Sequence, residues 1–479
     1  MLRKVVNGGL VSVRNSSAFP KKAYEYLQQS TTVGSELPNG LRVGTVSNGR
    51  PTSTIGVYID SGSRYETEGN NGVSALLERL IRKVKQLPSE FIPSFKGTNK
   101  RSAKQLESDL AKHGARLNTF TTRDHSVYLV QVLNENVEPT LEILADLLRN
   151  SKFNAGDVEA EKQTLLKQLN ELENNYEEVV WDMLHASAFQ GTGMALSPYG
   201  RTEDINNLTR EDVINFADDH LKGHRVAIAA AGGVRHDQIH SFAEKNFGDL
   251  NNEYKRHVPP PEGVRFTGSE YHYRDDTFPV VYCSIAVEGV GIKSHDALPL
   301  KLAAQLVGQW NQSHLTSTNS PIKIVQLMST LEGLHSYGSF SANYTDSGLF
   351  GFNFVHDSTD LVPVQTVINT VQHQWKHLAT SVTDEEVDRA KNQLRTNFLG
   401  PLEDSANLAH WIATQAFSKG KVTSVADLEK QIRHLDASAV REAVSRHVYD
   451  RELTIAAAGR TEALPSYVAI RHKQSWWRL

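Results

Sequence analysis

The chain repeats itself. Leu208-Thr209-Arg210-Glu211-Asp212-Val213 precedes the apolar run Val226–Gly232, and Leu435-Asp436-Ala437-Ser438-Ala439-Val440 precedes Leu453–Gly459, an offset of 227 residues. Val158-Glu159-Ala160-Glu161-Lys162 recurs in kind as Val387-Asp388-Arg389-Ala390-Lys391 at an offset of 229, and 55–59 matches 284–287 at about the same distance. A near-constant offset over three elements means one structural unit built twice. Between the copies, Asn252, Glu253, Lys255 and Arg256 lead into Pro259-Pro260-Pro261-Glu262-Gly263. Three consecutive prolines continue neither a helix nor an inner strand. The chain therefore divides into a first domain over 31–251, a linker over 252–270 and a second domain over 271–479.

Each copy reads as strand, helix, strand, helices, strand. In the first, strands are expected at 41–46, 54–59, 126–132 and 225–231, and helices at 74–84, 103–113, 137–149, 155–172 and 211–220. The 137–149 segment sets Leu141, Ile143, Leu144, Leu147 and Leu148 on one broad face. Thr209 and Asp212 form a capping box ahead of the last helix. Hairpin-like strand neighbours among helices give an α+β class: two homologous domains, each a mainly antiparallel sheet packed with helices.

Residues 1–24 carry Arg3, Lys4, Arg14, Lys21 and Lys22, and the first acid is Glu25. A basic, acid-free start with interleaved Ser and apolar residues reads as a mitochondrial transit peptide, and 1–30 is set aside from the fold. The whole chain balances 51 basic against 55 acidic residues, a net charge of −4, which argues against nucleic acid as a partner. The lone Cys283 excludes an internal disulfide and any Cys-rich zinc or iron–sulfur site. Placed in a strand, it is expected to be an inert core thiol. No apolar run approaches the roughly 20 residues that span a bilayer.

Three histidine pairs have i, i+4 spacing: His220 with His224, His236 with His240, and His373 with His377. None has a Glu just before its second His, and each is expected to be a solvated helix-face feature. Gly232-Gly233 follows a strand without the G-x-G-x-x-G pattern of a phosphate loop.

A set of ordered motifs carries a resemblance. They are Asp60-Ser61-Gly62-Ser63-Arg64-Tyr65-Glu66 with Asn71-Gly72 opening an apolar helix, Phe95-Lys96-Gly97-Thr98, Gly114-Ala115-Arg116-Leu117-Asn118 and Thr122-Arg123-Asp124-His125. The second copy adds Tyr344-Thr345-Asp346-Ser347-Gly348-Leu349-Phe350-Gly351, Arg389-Ala390-Lys391-Asn392-Gln393-Leu394 and the closing Trp476-Trp477-Arg478-Leu479. From about Thr32 onward, the chain resembles the inverzincin metallopeptidases. The nearest branch holds the mitochondrial processing peptidase and the core proteins of ubiquinol–cytochrome c reductase. The resemblance implies two α+β domains facing each other around a cavity.

An active inverzincin presents H-x-x-E-H on a helix: two His bind zinc, the Glu is the general base, and a distal Glu completes the site. Here the window reads Ala75-Leu76-Leu77-Glu78-Arg79, and the distal position is Gln168. Ala75 has no lone pair, Arg79 is a permanent cation and Gln168 is a neutral, poor ligand. Only the base Glu78 remains, expected as a solvated or arginine-paired carboxylate. Tyr344 matches a family tyrosine near the peptide-binding cleft. The 82–94 segment, with Pro88 and Pro93, reads as an insertion after the helix.

The resemblance thus implies no metal, no cofactor and no catalysis. It implies a core subunit of mitochondrial complex III, peripheral to the inner membrane on its matrix side. Its partners would be a core protein 2-like subunit and other complex III subunits. The alternatives are a β-type processing peptidase subunit and a presequence-binding module.

Overall fold

The computed structural model describes residues 31–81, 97–255, 258, 263–313, 319–357, 360–420 and 422–475. The expected leader at 1–30, the 82–94 insertion, Phe95-Lys96, Pro259-Pro260-Pro261-Glu262 and the closing Trp476-Trp477-Arg478-Leu479 lie outside these residues.

Twelve strands among the described residues form two sheets. The first holds β1 (Thr31–Glu36), β2 (Arg42–Ser47), β3 (Thr52–Ile59), β4 (Arg116–Thr121), β5 (Ser126–Leu133) and β6 (Val226–Gly232), in the order β1-β2-β6-β3-β5-β4. The second holds β7 (Glu270–Arg274), β8 (Val281–Glu288), β9 (Gln309–Asn311), β10 (Leu334–Asn343), β11 (Gly348–His356) and β12 (Leu453–Gly459), in the order β7-β12-β8-β11-β10-β9. Each has one parallel pair, β2 with β6 and β7 with β12, and is otherwise antiparallel. Five strands of each sheet follow the same order. The first sheet adds β1 at one edge and the second adds β9 at the other. The class is α+β, written twice.

The helices that matter below are α1 (Val73–Ile81), α2 (Val137–Asn150), α3 (Ala155–Leu172), α4 (Tyr176–Ala188), α5 (Arg210–His220) and α6 (His236–Phe247) in the first copy. The second contributes α7 (Ala297–Val307), α8 (Leu361–Thr380), α9 (Asp384–Leu399), α10 (Ser405–Lys419) and α11 (Ala437–His447). Thr209 accepts from the Asp212 amide and Asp212 returns a bond to the Thr209 amide, the expected capping box of α5.

Side chains of the strands alternate between two cores. Ile55, Val57, Val130 and Ile228 face α1, α2 and their neighbours, whereas Tyr58, Val127, Leu129, Ala227, Ala229 and Ala231 face the other way. That second face is covered by a helix from the other copy: Leu408, Ala409, Ile412, Ala413 and Ala416 of α10. The exchange is mutual. Val180, Met183, Leu184 and Ala188 of α4 pack on Ala286, Leu349, Ala456 and Ala458 of the second sheet. The two helices are repeat equivalents, since α4 begins at Tyr176 and α10 at Ser405. Each copy of the repeat therefore covers the outer face of the other's sheet.

This exchange explains the alanine-rich central strands. Every residue of β6 and β12 is buried, because helices press on both faces. Small residues let them approach. At Gly44 an added Cβ would lie 2.5 Å from a methyl of Ile412.

The solvated-histidine expectation needs correction at His220, while His224 and His373 are exposed as expected. His220 is buried, stacks on Phe216 at 4.0 Å between ring centres and bonds the Phe216 carbonyl through Nδ1. His224 lies on a separate short turn beyond the helix. His236 bridges Ser35 and Thr45, and His377 bonds Glu386. Cys283 is a buried strand thiol whose pKa burial pushes up.

His410 on α10 lies among Tyr58, Phe120 and His125, and burial lowers its pKa to about 4, with His125 adding to the effect. An unfolded histidine takes its proton near 6.5. Between these values only the unfolded chain binds that proton, so this contribution to stability is lost as pH falls. We expect about 2 kcal/mol of loss by pH 5 relative to pH 8. Urea midpoints at both pH values should fall more steeply in the native protein than in His410→Leu; equal slopes would contradict the assignment.

Candidate functional site

Strand β3 delivers the chain into the loop 60–66, where the site begins. The Tyr65 hydroxyl donates to Asp60 at 2.7 Å, and the Arg225 guanidinium covers the Tyr65 ring at 4.4 Å. Glu66 is buried and caps α1. It accepts from the Asn71 amide side chain (2.7 Å), the backbone N–H of Gly72 and Ser74 (both 2.8 Å) and the Ser74 hydroxyl (2.5 Å). Burial pushes its pKa up to about 7, against the pull of those four donors. Gly72 is required here: its φ is +95° and an added Cβ would lie 3.1 Å from the Gly200 backbone.

With its start fixed, α1 buries Val73, Leu76, Leu77, Leu80 and Ile81 in the core. Ala75, Glu78 and Arg79 share one side through their i, i+3, i+4 spacing. Ala75 is buried, and Glu78 and Arg79 are half-buried. Glu78 accepts from Thr119 at 2.6 Å and from Thr121 at 3.1 Å, both on β4. Two strand hydroxyls hold this carboxylate, which stays partly exposed and acts on the Arg79 charge. Arg79 donates to the side-chain oxygen of Gln168 on α3. The fold thus joins two positions that lie far apart in sequence and that the motif reading assigned to one site. Burial lowers the Arg79 pKa, while Glu78 and Glu161 oppose the shift.

A second constellation went unrecognised as a unit in the sequence. Arg64 is buried and donates to Asp124 at 2.7 Å and to Asp346 at 2.8 Å. The other Asp124 oxygen accepts from the Thr345 amide at 3.1 Å. Burial works against the Arg64 charge, but Asp346 and Asp124 more than offset it, and its pKa rises. Arg123 bonds Asp182 at 2.6 Å, and Asp182 accepts from Ser197 at 2.5 Å. Tyr344 bonds His185 Nε2 at 2.5 Å. His185 Nδ1 must donate to the Trp181 carbonyl at 2.7 Å, so Nε2 accepts from the tyrosine. Burial first, and then Arg123, pushes the His185 pKa well below its ordinary value. Burial pushes Tyr344 up to about 12.

Segments 60–66, 122–125 and 344–351 therefore converge on the seam between the copies. The available signal was the presence of charged residues inside loops otherwise built of Gly, Ser and Thr. Among the described residues, no three His, Cys, Asp or Glu side chains gather as a metal centre requires.

Two family models match the chain. One described as "Insulinase (Peptidase family M16)" covers residues 42–201, and one described as "Peptidase M16 inactive domain" covers 207–394. The chain is 45% identical over 443 residues to cytochrome b-c1 complex subunit 1, mitochondrial, of Caenorhabditis elegans, spanning 92% of this chain and 91% of that protein. It is 37% identical over 442 residues to mitochondrial-processing peptidase subunit beta of Homo sapiens, spanning 92% and 87% respectively. A chain of complex III2 from Candida albicans superposes with a TM-score of 0.79 at 26% identity, covering 93% of this chain and 100% of that one.

Proposed function

The chain belongs to the M16 peptidase family, and from that premise we propose that it is a non-catalytic core subunit of the mitochondrial cytochrome b–c1 complex, complex III. The subunit 1 relative and the complex III fold match support the assembly. The observation that carries the reading against a processing peptidase is the contact of Arg79 with Gln168 beside Ala75. The family's zinc needs three lone-pair donors at these positions. They hold a methyl group, a cation, and an amide oxygen that already accepts from that cation. The residues do not fit the ion. Glu78 then has no metal-bound water to activate, and its bonds to Thr119 and Thr121 give it a local role.

No helix among the described residues is long and apolar enough to cross a membrane. A peripheral subunit fits that observation, held on the matrix side by a core protein 2-like partner and other complex III subunits. The basic leader at 1–30 would carry it into the matrix.

The test combines assembly with processing. Depleting the chain should lower assembled complex III and the core partner together, because subunits of obligate interfaces are unstable alone. Glu78→Gln should change complex levels and precursor cleavage less than about twofold, since threonine hydroxyls reverse as donors or acceptors at under about 1 kcal/mol. The purified protein should hold substoichiometric zinc. The triple change Ala75→His, Arg79→His and Gln168→Glu should raise it towards about one per chain. Accumulation of uncleaved precursors in Glu78→Gln, with normal complex levels, would refute the reading.

A further inference from the structure

The second copy contains a cavity of about 860 Å³, set between the start of α7, the end of α9, α10 and the helix Val425–His434. Its described lining divides by depth. Lys293, His295, Asp427, Lys430 and His434 are exposed and stand at the rim, where Lys430 engages Asp427 at 3.1 Å. Further in, Trp411 and Phe398 are half-buried, and Lys301 holds its Nζ 5.7 Å from the Phe398 ring centre.

Two side-chain amides on the walls are only half satisfied. Gln415 on α10 is 6% exposed, and its Oε1 accepts from the backbone N–H of Thr423 at 2.8 Å. That bond fixes which way the amide faces, and Nε2 is left buried without a partner. Asn343, at the end of β10, is the reverse case. Its Nδ2 donates to the Val290 carbonyl at 2.8 Å, and Oδ1 is left buried without a partner. The cavity thus has one donor and one acceptor on its walls, each costly to leave unmet.

An apolar cavity with a few placed polar groups is the ordinary form of a small-molecule site, and this volume suits a compact ligand. The unmet groups are both neutral, so they select a neutral partner that presents an acceptor to Gln415 and a donor to Asn343. A water bound to either amide leaves the aromatic walls bare. A planar ring covers them by stacking. We infer that this cavity binds a neutral aromatic carboxamide. Its carbonyl accepts from Gln415 Nε2, its N–H donates to Asn343 Oδ1, and its ring lies against Trp411. Trp411 and Gln415 both sit on α10, the helix that also covers the first sheet, so the ligand contacts the element that joins the two copies.

The experiment uses the protein in the assembly in which it purifies, photolabelled with 4-azidobenzamide, with the labelled peptides identified by mass spectrometry. Saturable labelling is expected on the peptides that carry Phe398 or Trp411, with unlabelled benzamide protecting them. Gln415→Met keeps the length of the side chain and removes the donor. It should raise the half-saturating concentration about threefold to tenfold, as expected for losing one neutral hydrogen bond. If that change prevents assembly, the native protein decides the matter through its choice of ligand. N,N-dimethylbenzamide has no N–H to offer Asn343 and should protect about threefold to tenfold more weakly than benzamide, for the same reason. Labelling of these peptides that does not saturate at millimolar probe would leave the amides to bound water alone and overturn the inference. So would a half-saturating concentration unchanged within twofold in Gln415→Met. Equal protection by benzamide and N,N-dimethylbenzamide would reduce the cavity to an unselective apolar cleft, and would overturn it too.

Discussion

Replacing Arg64 with methionine should destabilise the chain by about 3–5 kcal/mol, the cost of leaving a buried charge without its partner. Arg64 reaches both Asp124 on the first copy and Asp346 on the second, at 2.7 and 2.8 Å. Methionine matches its stem but leaves Asp124 buried with only the Thr345 amide. Asp346 is partly exposed and can turn to water. Adding Asp124→Asn to Arg64→Met should therefore recover at least about 1 kcal/mol, because a neutral amide costs less to bury than a carboxylate. Denaturant unfolding of the native protein and the two variants measures both terms. A loss under about 1 kcal/mol in Arg64→Met would show that the seam does not depend on this ion pair.

The second large effect concerns the halves. Expressed alone, residues 31–251 should fail to give a soluble, cooperatively folded domain, even though they contain a whole sheet. Without α10, Tyr58, Val127 and Leu129 face water, along with the alanines of β6. Helix α4 is left with no sheet to cover. Each large apolar side chain uncovered forfeits about 1.5–3 kcal/mol, and several together rival the 5–15 kcal/mol net stability of an ordinary domain. Co-expression with 263–479 should restore solubility by letting α4 and α10 cross over. A monomeric 31–251 fragment with a single sharp unfolding transition would contradict this account.

Much of the architecture was legible from spacing. The offset of 227 to 229 residues foretold two like domains, and the short apolar runs at 54–59 and 226–231 foretold their strands. What periodicity does not record is which copy a helix serves. Helix α4 carries an ordinary apolar stripe at Val180, Met183 and Leu184, and nothing local assigns that stripe to a sheet made of residues after 269. The all-buried alanines of β6 held the clue, since a strand covered on one side alone alternates with polar residues. At the site, the family resemblance assigned Arg79 and Gln168 to one place, whereas helix geometry fixes only the shared side of Ala75, Glu78 and Arg79. The bonds of Glu78 to Thr119 and Thr121 depend on how β4 lies against α1, which requires the tertiary register. His220 was misjudged for a related reason: a polar ring at a helix end reads as solvated unless the aromatic neighbours that enclose it are known.

The exchange of α4 and α10 also sets a schedule for biosynthesis. The last strand of the first sheet, β6, ends at Gly232, yet the helix that covers its outer face ends only at Lys419. At the roughly 5–20 residues per second of translation, that face waits on the order of 10–40 s for its cover. Helix α4 waits longer still, because β12, the strand it packs on, is nearly the last element made. Neither half can finish before the other, so a nascent chain exposes adhesive surface at both ends of the repeat until the whole length is out. A chaperone that holds such surfaces should be needed most for chains arrested between Gly232 and Leu453, and released once β12 is complete.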